Sequence, residues 1–242
     1  LKLNFIHGFL GRPSDWEKIK IYFKDFDLQF HSISDYILEN NINHNNDFLN
    51  WSQNFNNSCL LNKSNHKNII IGYSLGGRLA LHSLISKNFQ WDAAIIVSAN
   101  PGLSNENEKK LRIEKDLHWS HRFLNENWVD VIKDWDSQPT FAGIQNTLVR
   151  KKEEINKNEI FDILNRFSLG KQNDLQESIE KLKIPILWVS GEKDTKFSSI
   201  TNKIQALNSG IQIAIIPHAG HRVPWEAPKE FSDLCISFLS KL

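Results

Sequence analysis

Apolar residues in this chain gather into six short runs: LNFI from Leu3, LQFHSI from Leu28, NIII from Asn68, AAIIVS from Ala93, PILWVS from Pro185 and IQIAII from Ile211. Stretches long enough for amphipathic helices separate them. Strands that alternate with helices pack as a parallel sheet, because each crossover helix covers one face of the strands it connects. Helices are expected to begin near Ser14, Asp47, Leu75, Ser198 and Pro228. In the second of these, Phe48, Trp51, Phe55 and Cys59 recur at three- and four-residue steps, which makes one apolar stripe facing a core. The pattern predicts an α/β fold with helices on both faces of the sheet.

The strand signal stops after SANPGL, which ends at Leu103, and returns at LKIPILWV. The gap of about 80 residues is too long for an ordinary connection. Helical patterns fill it: ENEKKLRIEKDLHWSHRFL, NWVDVIKDW and NEIFDILNRFSLG, with aromatic and basic residues interleaved. Open α/β sheets bind ligands beyond the carboxyl ends of their strands, so an α-helical lid insertion is expected there. The expected organisation is core at 1–103, lid at 104–182 and core again at 183–242.

Composition narrows the picture. With 242 residues the chain can bury a substantial core without a metal or disulfide staple. Its 29 basic and 28 acidic residues nearly balance, so neither nucleic acid nor an anionic membrane is an expected partner. No apolar run approaches the roughly 18 residues of a membrane span. The chain opens on LKLNFIHG, inside an expected strand and without a basic or apolar leader, so a cytoplasmic location is expected. Cys59 and Cys235 lie far apart in apolar helical patterns and read as buried core thiols. The Asn-rich patches ENNINHNND, NFNN and NKSNHKN read as polar loops and helix surfaces.

Candidate chemistry centres on GYSLGGR, residues 72–78, which sits between the apolar run NIII and the helical pattern LALHSL. A G-x-S-x-G match alone is weak. Here it has the context of a nucleophile elbow, in which a buried strand turns sharply through small residues and a strained serine into a helix. A serine needs a base, and the base an orienting carboxylate; in this arrangement they follow the serine in the order acid, then histidine. Asp194, in GEKD after PILWVS, and His221, in HAGH after IQIAIIP, fit that order. Glu192 and His218 compete for the same roles, and Asp194 and His221 are preferred. The amides of Leu75, after the serine, and Phe9, in IHGFLG after the first strand, are the expected oxyanion hole. His118 and His121 have helical spacing but no accompanying ligand pattern, and read as a wet helix surface. No metal or cofactor is expected.

Taken together, HGFLG, GYSLGGR, NPGL, LRIEKDLHWSHRF, QPTF, GEKDTKF and HAGHRVPWEAP resemble the 2-succinyl-6-hydroxy-2,4-cyclohexadiene-1-carboxylate synthase family, within the α/β-hydrolase fold. The resemblance runs nearly end to end. It implies a lyase of menaquinone or phylloquinone biosynthesis that eliminates pyruvate from a small polycarboxylate substrate, beginning with proton abstraction. Such a substrate calls for locally placed cations, and arginine suits carboxylates because its planar fork can make two parallel hydrogen bonds. By the resemblance, Tyr73, Arg78, Arg112 and Trp135 bind substrate, with Arg122 and Arg150 as weaker candidates. Many relatives carry a Gly-rich D-x-P-G-x-G-x-S segment where this chain has FHSISDYILEN, which alters the expected shape of that side of the pocket.

Overall fold

The six apolar runs form the strands β1 (Lys2–Ile6), β2 (Asp27–His31), β3 (Asn68–Tyr73), β4 (Ala93–Val97), β5 (Ile186–Gly191) and β6 (Gln212–Ile216). They build one parallel sheet in the order β2-β1-β3-β4-β5-β6. The structure is a computed structural model that describes residues 1–37, 47–61, 66–86, 91–141, 143–148, 150 and 156–242. The Asn-rich stretch 39–46 with His44, the NKSN residues at 62–65 and the basic stretch 151–155 lie outside the described residues.

Every residue of β3, β4 and β5 is buried, whereas the edge strands β2 and β6 are mostly half-buried. That contrast follows from position: a central parallel strand is covered on both faces, so both of its side-chain sets must be apolar. Ile70 and Ile96 face one layer, which contains Trp51 and Phe55 of α2 (Asp47–Leu61) and Leu79 of α3 (Leu75–Ile85). Ile69, Ile71, Ile95 and Val97 face the other. There they meet Trp16, Ile19 of α1 (Glu17–Lys20), and the two C-terminal helices described below. The expected stripe Phe48, Trp51, Phe55 and Cys59 is buried as a unit. Trp51 stacks on Phe55 at 4.9 Å and Phe55 on Trp91 at 5.6 Å, and the Trp51 indole donates to the Ile33 carbonyl at 2.7 Å.

Between β4 and β5 the chain forms α4 (Glu106–Asn125), α5 (Trp128–Asp136), α6 (Lys157–Arg166) and α7 (Gln176–Glu180). Asn105, Asn127 and Asn156 cap the first three by accepting backbone N–H groups at the amino ends, so part of the asparagine content has a structural use. Trp119, Phe123, Trp128, Val131 and Leu164 form a separate apolar cluster among these helices, and Phe9, from the loop after β1, packs against it. The final helices are α8 (Thr195–Leu207), α9 (Val223–Glu226) and α10 (Pro228–Leu239).

Helix starts at Asp47, Leu75 and Pro228 match the apolar pattern. Two differ. The stretch expected to start a helix near Ser14 is a 3-10 turn over Pro13–Trp16 that leads into the short α1. α8 begins at Thr195, a turn before Ser198, because the Asp194 side chain accepts the Phe197 amide and caps the helix early. Both cysteines are free and buried, and burial pushes the Cys59 thiol up to about 12. Among the described residues no helix is long and apolar enough to cross a membrane.

The stacked α2 stripe supports a test of the core. Phe55→Ala should lower unfolding free energy by about 3–5 kcal/mol, read as a fall in the urea midpoint at unchanged m-value.

Candidate active site

Ser74 occupies the turn between β3 and α3 at φ 52° and ψ −110°, a conformation L-residues rarely adopt. Its amide donates to the Val97 carbonyl at 2.8 Å and its carbonyl accepts from Arg78 at 3.1 Å, so the turn is tied to β4 and to the helix it starts. Glycine is required around it. A Cβ at Gly76 would lie 2.4 Å from the carbonyl oxygens of both Ile6 and His7, at the end of β1. A Cβ at Gly8 would lie 2.8 Å from the Tyr73 ring and 3.3 Å from the Ser74 Cβ, which places the loop after β1 directly beside the serine.

Ser74 Oγ lies 3.1 Å from His221 Nε2, and His221 Nδ1 lies 2.6 Å from Asp194 Oδ2. Asp194 leaves β5 and His221 follows β6, so neighbouring strands deliver them to one end of the sheet. With Nδ1–H donating to the carboxylate, Nε2 carries the lone pair that accepts the serine hydroxyl. Asp194 is buried and uses both oxygens, Oδ2 for His221 and Oδ1 for the Phe197 amide at 3.4 Å. The competing pair is elsewhere. His218 is exposed and its amide donates to Glu192 at 2.9 Å, a surface contact.

A cavity of about 460 Å³ lies above Ser74 and His221, between the strand ends and the helices that join β4 to β5. Phe9, Tyr73, Leu75, Arg78, Arg112 and Trp135 all line it. Leu75 opens α3, so its N–H has no carbonyl to meet within the helix. Trp135 packs 5.1 Å from Phe9 and 5.3 Å from Phe123, centroid to centroid. Tyr73 is buried against Trp225 and His221, and burial raises its hydroxyl pKa.

Charge in the cavity is arranged unevenly. Among the described residues three aspartates line it, and each pairs with an arginine: Asp15 with Arg150, Asp116 with Arg112, and Asp136 with Arg222. Arg78 differs. Its side chain is 9% exposed, and among the described residues no carboxylate pairs with it. Burial, aided by the nearby Arg112 and opposed by Asp116, lowers its pKa to about 9. Arg112 is held through Nε alone, at 2.8 and 2.9 Å from the two Asp116 oxygens. Of the two weaker candidates, Arg150 lines the cavity, but Arg122 turns away from it toward Glu126 and Asp134 and covers the Trp119 ring. Its i+4 glutamate and an aspartate across the α4–α5 junction account for that. His118 and His121 are exposed on α4, as their pattern suggested. The sequence reading overlooked Lys115, Lys196 and Arg222 as cavity residues. GEKDTKF and HAGHR held that signal for the latter two, since both sit within two residues of a candidate catalytic group.

A profile described as the alpha/beta hydrolase family matches residues 5–234. A 2-succinyl-6-hydroxy-2,4-cyclohexadiene-1-carboxylate synthase from Klebsiella pneumoniae subsp. pneumoniae is 30% identical over 93% of this chain and 88% of its own length. The synthase of that name from Enterobacter sp. (strain 638) is also 30% identical, over 93% of this chain and 86% of its own. The chain belongs to this synthase family of alpha/beta hydrolases. Among solved structures, MenH from S. aureus superposes with a TM-score of 0.82 at 22% identity, covering 99% of this chain and 93% of that one, a likeness of fold.

Family membership directs attention to the loop that carries Phe9. His7 supports it: Nδ1 donates to the Gly8 carbonyl at 2.8 Å, while Nε2 accepts from the Ile33 amide at 3.2 Å. That pairing fits only the neutral ring, and burial lowers the His7 pKa to about 4. Burial also lowers His31 to about 4 and His82 to about 3. In the unfolded chain these rings take up protons near pH 6.5. Stability from keeping them neutral is therefore full above about 6.5 and is lost as pH falls toward about 4. The urea midpoint should drop across that window, and His31→Gln should flatten the drop.

Proposed function

We propose that this protein eliminates pyruvate from 2-succinyl-5-enolpyruvyl-6-hydroxy-3-cyclohexene-1-carboxylate to give 2-succinyl-6-hydroxy-2,4-cyclohexadiene-1-carboxylate. The observation that carries the reading is a serine–histidine–aspartate array opening into a cavity with a buried guanidinium that, among the described residues, no carboxylate pairs with. A polycarboxylate supplies one. An unpaired buried cation disfavours the empty site and favours an anionic ligand.

The chemistry follows from the substrate. The ring hydrogen beside the succinyl carbonyl is acidic because the carbanion it leaves is an enolate. His221, held by Asp194, draws the proton from Ser74, and the serine oxygen takes that ring hydrogen. Charge passes to the carbonyl oxygen, where the Phe9 and Leu75 amides stabilise it. The electron pair returns through the ring double bond and breaks the bond to the enolpyruvyl oxygen. Two conjugated ring double bonds remain, and the enolate released takes up the proton held by the His221 imidazolium and becomes pyruvate. No bond to the enzyme forms and no redox change occurs, so the step calls for no cofactor. Arg78 and Arg112 grip carboxylates of the substrate, Tyr73 and Trp135 shape the cavity around it, and the helices of residues 104–182 act as its lid. The substrate is a small metabolite, with neither nucleic acid nor membrane as partner, and the reaction takes place in the cytoplasm.

Pyruvate release from the enolpyruvyl substrate, followed with a coupled dehydrogenase, tests the assignment. Ser74→Ala should reduce kcat by at least about 10³-fold. Arg78→Ala should raise KM by about tenfold or more, the loss of one charge-assisted hydrogen bond. A wild-type protein that releases no pyruvate refutes the lyase.

A further inference from the structure

The two arginines that meet the proposed substrate are anchored by opposite means. Arg112 leans on a carboxylate, Asp116, which in turn accepts the Ser168 hydroxyl at 2.7 Å. Arg78 leans on an amide. Its Nη1 donates to Gln172 Oε1 at 3.2 Å, and Gln172 Nε2 donates to the Asn100 carbonyl at 3.1 Å. Gln172 is 1% exposed and lies 94 residues from Arg78 along the chain. The two contacts fix its orientation, since a guanidinium has only donors and a carbonyl only accepts. Asn100 is itself pinned in the turn after β4, where its side-chain oxygen accepts the Gly102 amide at 2.9 Å.

We infer that Gln172 is a positioning residue for substrate recognition: it fixes the Arg78 guanidinium with a neutral acceptor, so that the cation is aimed but keeps its full charge for a substrate carboxylate. Glutamate has the same shape and would pair with a buried arginine, so the amide is the choice that leaves the cation without a directly bonded carboxylate. The face of Arg78 beneath the guanidinium is covered by Phe48, 5.5 Å from ring centroid to Cζ, which adds attraction without neutralising it. A held, unneutralised cation binds ground state and transition state of a remote carboxylate alike, so its loss appears in KM.

The inference rests on the lyase reading for its substrate, and the test separates the two. Gln172→Glu and Gln172→Met are compared with wild type by pyruvate release and by calorimetric titration with succinate, a plain dicarboxylate probe. Gln172→Glu should raise KM and weaken succinate binding by tenfold or more, with kcat within about threefold of wild type and a urea midpoint no lower. Gln172→Met, which keeps the charge but frees its direction, should shift both constants the same way by a smaller factor. Gln172→Glu with wild-type KM and wild-type succinate affinity overturns the inference, and so does a fall in kcat and urea midpoint at unchanged KM, the mark of a merely structural residue. A wild type that binds succinate but releases no pyruvate refutes the lyase alone, and the succinate titration still decides on Gln172. A wild type that does neither overturns both.

Discussion

Main chain packed directly on main chain sets the geometry of this site. A Cβ on Gly72 would stand 2.4 Å from the Gly76 carbonyl oxygen, and one on Gly76 equally close to the ends of β1. The elbow is thereby clamped between its own strand and its neighbour, and that clamp holds Ser74 at a backbone conformation costing about 1–3 kcal/mol. The serine oxygen consequently projects past the strand ends toward His221. The same approach brings the Gly8 turn against the Ser74 Cβ.

Around that fixed point, the helices between β4 and β5 are fastened to the core by contacts at the cavity wall. Arg222, next to His221, pairs with Asp136 at the end of α5 and lies 3.8 Å over the Phe141 ring. Phe9 joins the aromatic cluster of α4 and α5 from the other side. Gln172 closes a third link, from the chain after α6 to α3 and to the turn after β4. Arg222 is next to His221, Phe9 follows β1 beside the serine, and Arg78 lies one helical turn from Ser74, so all three links reach the surroundings of the triad.

Much of this was legible along the chain, for identifiable reasons. Buried parallel strands must be apolar on both faces, so NIII and AAIIVS announce β3 and β4 without ambiguity, and the α2 stripe announces its own buried side. Ser74, Asp194 and His221 each sit just beyond a strand, a position that sequence order marks. What sequence concealed are contacts set by the tertiary path. Nothing in EKKLRIEKDLHWSHRF tells that Arg112 faces the cavity while Arg122, about three turns on, faces Glu126 and Asp134. Gln172 has no periodic or motif signature, since its role arises from a fold that returns the chain to α3. Asp194 was read for its bond to His221, but its second bond, to the helix it caps, moved the start of α8. After β2 the chain runs into a 3-10 turn at Ser34–Tyr36, and the Ile33 amide and carbonyl serve His7 and Trp51.

The triad by itself does not choose between hydrolysis and elimination, because both begin with one proton moving from Ser74 to His221. Asp194 is committed through both oxygens, so the imidazole has a single orientation and the serine oxygen a single place. What reaches that oxygen is therefore settled by where the substrate is held. An ester carbonyl presented there would be attacked, whereas an acidic hydrogen beside a carbonyl would be removed. Cations line the cavity in which the substrate would be held, and among the described residues Arg78 forms no salt bridge, whereas Arg112, Arg150 and Arg222 each pair with an aspartate. Elimination and hydrolysis that share one proton transfer are therefore distinguished by the groups that hold the substrate and not by the nucleophile.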